Sequence, residues 1–479
     1  MINFIRYFYR YSSLIYSLYN YNNSYNTHQK HDMILLDKLI GKISHCGSVA
    51  IKFCQWVIPK LEVMHLEKED LKNGIKPLWL KKLENFYENC ENHNLEYTLD
   101  EYKKTFKRNL TDDYEILDII GSGSIGQVYL LKDKPLTKHT KSQKYVMKIL
   151  HPNVRHEIYY FRIYFNFVKK ISFVKNILNN QFPFDINGFI DSFEEQSDFI
   201  NESNHLLKFQ EYYRGNKNVI IPRLITSSPK IMIMSYEEGV TFDDLDCDKY
   251  NKYKIALLLT SFIRNNQEVI NMIHGDLHKG NWKVRVENNN YKLVVYDFGF
   301  SWSVPTSKQF GNALITEVFE DSDENNLDID KLADLFQFLI IDGYKYKTII
   351  IDFLNGNINN LRPWAMDPHR IFNMTVSLCI NNNMKIDPLL IQSIIIAIQC
   401  EKIFSEYDML STDEHLITSK EVYRKKYLDW LSYYKTNDIF HDFSKLIIDK
   451  LNQRQPEVNS IFDCCEMPDS IKALALKNI

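Results

Sequence analysis

Two short stretches constrain this chain more than anything else in its 479 residues: His274-Gly275-Asp276-Leu277-His278-Lys279-Gly280-Asn281 and, downstream, Tyr296-Asp297-Phe298-Gly299. Asn281 follows Asp276 by five residues and Asp297 follows Asn281 by sixteen, with an apolar, strand-like run at residues 291–296 between them. Phosphoryl transfer needs these parts. A carboxylate orients the attacking hydroxyl, while an amide and a second carboxylate hold magnesium against the nucleotide phosphates. Either stretch alone is weak evidence, but both in this order point to a kinase-type site using ATP and Mg2+. Asp276 is then the catalytic carboxylate, with Asn281 and Asp297 as the magnesium ligands. His274 and His278 are expected to brace the loop by hydrogen bonds rather than to ligate a metal.

The upstream sequence supplies the other half of such a site. Ile119-Ile120-Gly121-Ser122-Gly123-Ser124-Ile125-Gly126-Gln127-Val128-Tyr129 reads as strand, glycine loop, strand. Glycines let a backbone approach phosphate oxygens and offer them amide hydrogens. Gly121, Ser122, Gly123, Ser124, Gly126 and Val128 form the expected phosphate loop. Tyr145-Val146-Met147-Lys148-Ile149-Leu150 is a short apolar strand with one lysine, placed to grip the phosphates. Residues 231–239 read as a last strand and a hinge, with Met234 flanking the adenine pocket and the backbone near Glu237 meeting the adenine edge.

With these motifs the chain resembles the UbiB/ADCK (ABC-one, aarF-domain-containing) atypical kinase-like family. Lys52-Phe53-Cys54-Gln55-Trp56 looks like the family's Lys-x-Gly-Gln element. Residues 196–204, from Gln196 through Asp198 and Glu202 to Asn204, are similar to its Glu-x-Asp segment and the helix that follows. The Ser-Ile-Gly-Gln-Val loop ending and His-Gly-Asp in place of His-Arg-Asp agree with it. The resemblance implies that Glu202 pairs with Lys148 and that Lys52, Gln55, Gln196 and Asp198 lie over the active site as regulatory residues. It also implies a link to lipid handling or isoprenoid-quinone biosynthesis. The departures bear on regulation more than on nucleotide binding. Gly121 and Gly123 stand in a loop that the family makes alanine-rich, Cys54 replaces a glycine, Gln196 replaces an acid, and Lys279 replaces a proline.

A formal net charge of −3 gives no global attraction to nucleic acid. The eight cysteines show no C-x-x-C spacing, which suits free thiols in a reducing compartment better than disulfides or zinc. Residues 1–31 carry no acid, two arginines and many aromatics. They read as a leader: a mitochondrial-type targeting segment, an interfacial helix in peripheral membrane contact, or a disordered tail. Residues 32–112 form a helical extension, with Trp79, Leu80, Leu83 and Phe86 packing inward. Residues 113–236 form the N-lobe, with a solvated lysine-rich loop near residues 133–144 and a long helix at 154–178 packed against the extension. Residues 237–410 form the C-lobe, with a buried helix from Pro388, and 411–479 a tail. The fold class is α+β: a two-lobed protein-kinase-like fold with a helical N-terminal extension and nucleotide in the interlobe cleft. Three functions remain open on these grounds: an ATP-dependent atypical kinase or ATPase acting with lipid or quinone-pathway partners, a small-molecule phosphotransferase of the aminoglycoside or choline kinase type, and a pseudokinase scaffold.

Overall fold

The structure, a computed structural model, describes residues 2–66, 76–84, 92–134, 142–180, 182–266, 270–288, 290–303, 329–357 and 368–406. Phe86, most of the lysine-rich loop and the tail at 411–479 lie outside the described residues. The chain divides into two compact units: residues 1–207 with 222–236, and 208–221 with 237 onward. Residues 208–221 therefore leave the expected N-lobe and join the second unit, because their strand β4 (Val219–Ile220) pairs in parallel with β9 (Asn290–Val295).

In the first unit, β1 (Tyr114–Ser122), β2 (Gly126–Asp133), β3 (Lys144–Leu150), β5 (Leu224–Ser227) and β6 (Ile231–Ser235) form an antiparallel sheet in the order β1-β2-β3-β6-β5. Strand alternation sends Met147 and Ile149 to one face, where they join Tyr129, Leu131, Ile231 and Ile233 in a core closed by Tyr102 and Leu110. Tyr102 belongs to α5 (Leu95–Phe106) and Leu110 to α6 (Leu110–Asp113), so the helical extension supplies the cover for this face. Lys148, between the two core residues, must point to the other face. It stands in register with Val128 on one side and Met232 on the other.

The rest of this unit is helical: α1 (Ile2–His28), α2 (Met33–His45), α3 (Ser48–His65), α4 (Leu78–Glu84), α7 (Val154–Val168), α8 (Ser172–Asn180), α9 (Ile186–Gln196) and most of α10 (Phe199–Tyr212). The stretch expected as one helix at 154–178 is two. Tight bonds from Lys170 N to Phe167 O and Ile171 N to Val168 O end α7 before α8 starts. Within residues 1–31, for which a disordered tail was one reading, Ile2–His28 form α1. Its Tyr7 and Tyr11 are buried, and Tyr11 packs on Phe161 and Tyr164 of α7. The carboxylate of Glu157, on α7, accepts from Ser48 N at 3.1 Å and so caps α3. Gly47 before it has φ 91°, and a Cβ there would lie 2.9 Å from that carboxylate. Desolvation pushes the Glu157 pKa up to about 7. Trp79 and Leu80 of α4 are buried.

In the second unit, β8 (Trp282–Glu287) and β9 form an antiparallel hairpin, and β7 (Ile273–His274) pairs with β10 (Ser301–Trp302). Around them pack α11 (Lys249–Asn265), α12 (Ile329–Phe338), α13 (Lys347–Gly356), α14 (Pro368–Asn381) and α15 (Pro388–Glu406). The apolar α15 lies against both α11 and α14, with Ile391, Ile394, Ile395, Ile396 and Ile398 buried.

Candidate phosphoryl-transfer site

The three polar residues of the second unit are brought together by two short pairings. Asn281 directly precedes β8 and Asp297 lies two residues beyond β9, so the hairpin folds the sixteen-residue separation back on itself. Tyr296 N then donates to Asn281 O at 2.8 Å. The β7–β10 pairing places Asp276 beside them, with Gly275 N donating to Phe300 O at 2.7 Å. Asn281 Nδ2 donates to Asp276 O at 2.8 Å, which leaves Asn281 Oδ1 as the amide's acceptor atom. Asp297 has φ 53°, in the left-handed region that non-glycine residues seldom occupy. Strain of this kind is held in place only where surrounding structure enforces it, and it concentrates at functional sites.

The histidines brace this loop. His274 is buried, which lowers its pKa, and its Nε2–H donates to Tyr296 O at 2.9 Å. His278 Nδ1 accepts from Gly280 N at 3.0 Å, and its Nε2 stands 3.8 Å from Asp276 Oδ1. Gly275 admits no side chain, because a Cβ would fall 1.9 Å from the Trp302 ring. Gln392 of α15 closes the back of the loop by donating to Gly275 O at 3.2 Å. Neither Trp302 nor Gln392 carried any signal in the sequence. Glu237 has two jobs in this unit: its carboxylate meets Arg285 at 2.8 Å and its carbonyl accepts from Tyr296 Oη at 2.7 Å. One backbone group of the expected hinge, the Glu237 carbonyl, is thus tied to the tyrosine that precedes Asp297.

In the first unit Lys148 Nζ reaches both carboxylate oxygens of Glu202, at 2.8 and 3.0 Å. The lysine is 8% exposed and the glutamate 1%. The helix that carries Glu202, α10, starts beside the sheet: Phe199 N donates to Pro229 O, and Lys148 Nζ lies 5.3 Å from the Phe199 ring centroid. Met234 is buried in β6, opposite Val146. In the glycine loop, Gly123 N donates to Gly126 O at 3.0 Å. The three glycines differ in what they are for. A Cβ on Gly126 would lie 2.5 Å from Ile149 O, so this glycine serves strand packing, whereas Gly121 and Gly123 have room for one.

The extension touches this loop. Ser124 Oγ donates to Gln55 Oε1 at 3.1 Å, joining α3 to the loop tip. Lys52 lies one turn away on the same helix and is half-buried. Gln196 bonds back to its own helix through Ser192 O, 3.2 Å away. Asp198 pairs with Arg155 at 3.5 Å and caps Ile200 N. Ser122 Oγ stands 3.5 Å from His151 Nε2. His151 and its neighbour His93 are functional candidates that sequence reasoning passed over, since His151-Pro152 reads simply as the end of a strand.

The donor set suits magnesium. Asn281 Oδ1 and the Asp297 carboxylate are hard oxygens, and Mg2+ typically takes one or two protein oxygens and fills its octahedron with water and phosphate. Among the described residues there is no group of three or more His, Cys, Asp or Glu side chains that would favour another metal. The described cysteines Cys46, Cys54, Cys247 and Cys379 are free.

Residues 83–328 match the model of the ABC1 atypical kinase-like domain. The "Probable serine/threonine-protein kinase abkC" of Dictyostelium discoideum is 26% identical over 265 residues, 53% of this chain and 36% of that protein. An aarF domain-containing protein kinase of Arabidopsis thaliana is 24% identical over 184 residues, 38% of this chain and 24% of that protein. The matches thus span about a third and a quarter of these relatives' lengths. Among solved structures, the Rv3197–erythromycin complex of Mycobacterium tuberculosis aligns with a TM-score of 0.43 at 17% identity, covering 72% of this chain and 87% of that one. The ADP/Mg2+-phosphoaspartate complex of the Rio2 kinase of Chaetomium thermophilum aligns with a TM-score of 0.26 at 15% identity, covering 53% and 79%. A family match over half the chain, together with a mixed α+β architecture carrying an N-terminal helical region, makes this chain a member of the ABC1 atypical kinase-like family.

Proposed function

We propose that the chain is a magnesium- and ATP-dependent phosphotransferase or ATPase. The observation that carries the reading is the locked trio of the second unit. Asn281 has its amide tied to the Asp276 carbonyl, and Asp297 is held in left-handed backbone beside it. Asn281 Oδ1 and the Asp297 carboxylate would hold a magnesium ion, and Lys148, paired with Glu202, would meet the phosphates. Mg-ATP supplies an activated phosphoryl group, and Asp276 orients the hydroxyl or water that receives it. Gly121 and Gly123, which no neighbouring protein atom crowds, leave the loop open to phosphate oxygens.

Lipid or isoprenoid-quinone chemistry is the substrate field we propose, with the protein at a membrane surface. Tyr9, Tyr159 and Phe167 are exposed on α1 and α7, with Arg6 and Arg10 exposed on α1, a composition that suits an anionic interface. Among the described residues no helix is long and apolar enough to cross a membrane. The test is thermal denaturation with and without millimolar Mg-ATP, followed by ATP turnover with and without anionic vesicles. A ligand that binds the folded state raises the melting temperature. A shift that disappears in Asp297→Asn supports the reading; folded wild-type protein with no shift removes it. A shift without turnover under any condition marks a pseudokinase scaffold instead.

A further inference from the structure

The glycine loop is tied to a buried chain of polar groups that neither the family match nor the proposed chemistry assigns. His151 Nε2 lies 3.0 Å from Gly123 O, and His151 Nδ1 lies 2.7 Å from His93 Nδ1. His93 Nε2 stands 2.9 Å from Thr98 Oγ1, and Thr98 Oγ1 stands 2.8 Å from Tyr129 Oη. Gln127 Nε2 donates to Tyr129 Oη at 2.7 Å, while Gln127 Oε1 accepts from His93 N at 2.9 Å. Gln127, Thr98, Tyr129 and His151 are all buried.

Donor and acceptor rules give this chain one consistent direction. A carbonyl only accepts, so His151 carries its proton on Nε2 and, when neutral, accepts at Nδ1. His93 must then donate from Nδ1 and accept at Nε2 from the Thr98 hydroxyl. Thr98 oxygen accepts from Tyr129, whose oxygen accepts from the Gln127 amide. The Gln127 oxygen is held by the His93 backbone and closes the ring of contacts. A proton added to either histidine puts a hydrogen on His93 Nε2. The Thr98 hydroxyl hydrogen then loses its acceptor, because His93 Nε2 has become a donor. Burial agrees with the neutral pair, since it lowers both pKa values, that of His93 to about 4.

The consequence falls on one peptide plane. In a trans peptide the carbonyl and the following N–H point in opposite directions. Gly123 has no side chain to resist a flip of the 123–124 peptide, and no atom lies within 3.9 Å of the position its Cβ would take. With Gly123 O held by His151, the Ser124 N–H points away from His151. His151 N also donates to Ile125 O at 2.9 Å, so both ends of the loop tip are tied to this residue.

We propose that His151, with its tautomer set by His93, is a positioning residue for the phosphate loop: it locks the 123–124 peptide so that an amide hydrogen, not a carbonyl oxygen, is offered to the nucleotide phosphates. This rests on the nucleotide-binding reading above. The two are separated by measuring the loop itself as well as binding. The full-length wild type, His151→Ala, His151→Gln and His93→Asn are compared in three ways. The first is hydrogen exchange of the amides at 122–126 without nucleotide. The second is affinity for ATP and for adenosine, which lacks phosphate. The third is the imidazole tautomers by 15N NMR.

His151→Ala is expected to speed loop exchange and weaken ATP about tenfold each, the worth of one hydrogen bond, while adenosine binds as before. His151→Gln, whose amide can reach Gly123 O, should stay within about threefold of wild type. His93→Asn, which keeps a donor toward His151 Nδ1, should do the same. Unchanged loop exchange and unchanged ATP affinity in His151→Ala overturns the proposal, as does equal loss of ATP and adenosine, or a wild-type His151 protonated on Nδ1. If wild type binds neither ligand, the nucleotide reading fails, and loop exchange alone decides whether His151 holds the loop. Should His151→Ala not fold, the tautomers and the two conservative variants decide.

Discussion

The ion pair of the first unit makes a sharp quantitative claim. Lys148 and Glu202 are 8% and 1% exposed and meet at 2.8 and 3.0 Å. Replacing one partner removes the counter-charge that the other meets in this pair, which for buried pairs typically costs about 3–5 kcal/mol. Replacing both by apolar side chains of similar size is often close to neutral. Lys148→Met and Glu202→Leu should therefore each destabilise the sheet by about 3 kcal/mol or more, and the double variant by about 1 kcal/mol, a coupling far outside additive behaviour. The two-unit chain makes a single unfolding midpoint a poor measure. Hydrogen exchange of the β3 and β6 amides reads the local free energy directly. At 1.4 kcal/mol per tenfold, each single variant should lose at least about two orders of magnitude of protection, most of it regained in the double. The double variant should be folded and blind to Mg-ATP. If the single effects simply add, the pair is not the desolvated contact described here, and the reasoning fails.

Three more outcomes are expected. Gly126→Ala, with its Cβ 2.5 Å from Ile149 O, should cost about 1–3 kcal/mol, and Gly275→Ala, 1.9 Å from Trp302, at least as much. Gly121→Ala and Gly123→Ala should leave the melting temperature within a degree or two, a change of about 0.5 kcal/mol or less. Tyr11→Ala should destabilise the first unit by about 3 kcal/mol, as loss of a buried ring does, read by exchange in α1 and α7; a silent Tyr11→Ala would mean that the leader is not part of the packed unit. The pH dependence has two limbs of opposite sign. His93 and His151 bind protons less readily when folded, so their contribution is complete above about pH 6.5 and is lost at lower pH, that of His93 as pH falls toward 4. Glu157 binds a proton more readily when folded, so its contribution is complete below about 4.5 and is lost as pH rises through 7. Glu157→Gln should thus gain stability relative to wild type between pH 5 and 8, by urea denaturation, and a flat difference would refute the assignment.

What could be read in advance follows the reach of each interaction along the chain. Asp276 and Asn281 are five residues apart, and a hairpin returns Asp297 to them, so their juxtaposition is nearly local and their motif is legible. Lys148 is legible for a similar reason: strand alternation places it opposite Met147 and Ile149 without any knowledge of the fold. Glu202 was reached only through a resemblance, since nothing local distinguishes it from other glutamates. The contacts of His93 with His151, of Ser48 with Glu157 and of Gly275 with Gln392 span 58, 109 and 117 residues. One sequence holds no pattern at such separations. For the leader, the lack of acids points to a transit or interfacial segment, and the burial of Tyr7 and Tyr11, one helical turn apart, adds a packed stripe that composition does not show.

The glycines show most plainly why residue type alone underdetermines role. Gly121, Gly123, Gly126 and Gly275 all sit in nucleotide-type motifs, and the first three read as backbone freedom for phosphate. In the folded chain Gly126 is a spacer between two strands, and Gly275 is a seat for the Trp302 ring. Gly121 and Gly123 alone have space around them. Their small size is not demanded by the protein's own packing, so a requirement for glycine at either position must come from something the loop receives or from a motion it makes. The family's usual alanine-rich loop fits the available space equally well. Exchanging these two residues for alanine therefore changes ligand handling without disturbing the scaffold. Any difference it produces in nucleotide affinity or turnover belongs to the loop's dealings with phosphate and not to the stability of the sheet behind it.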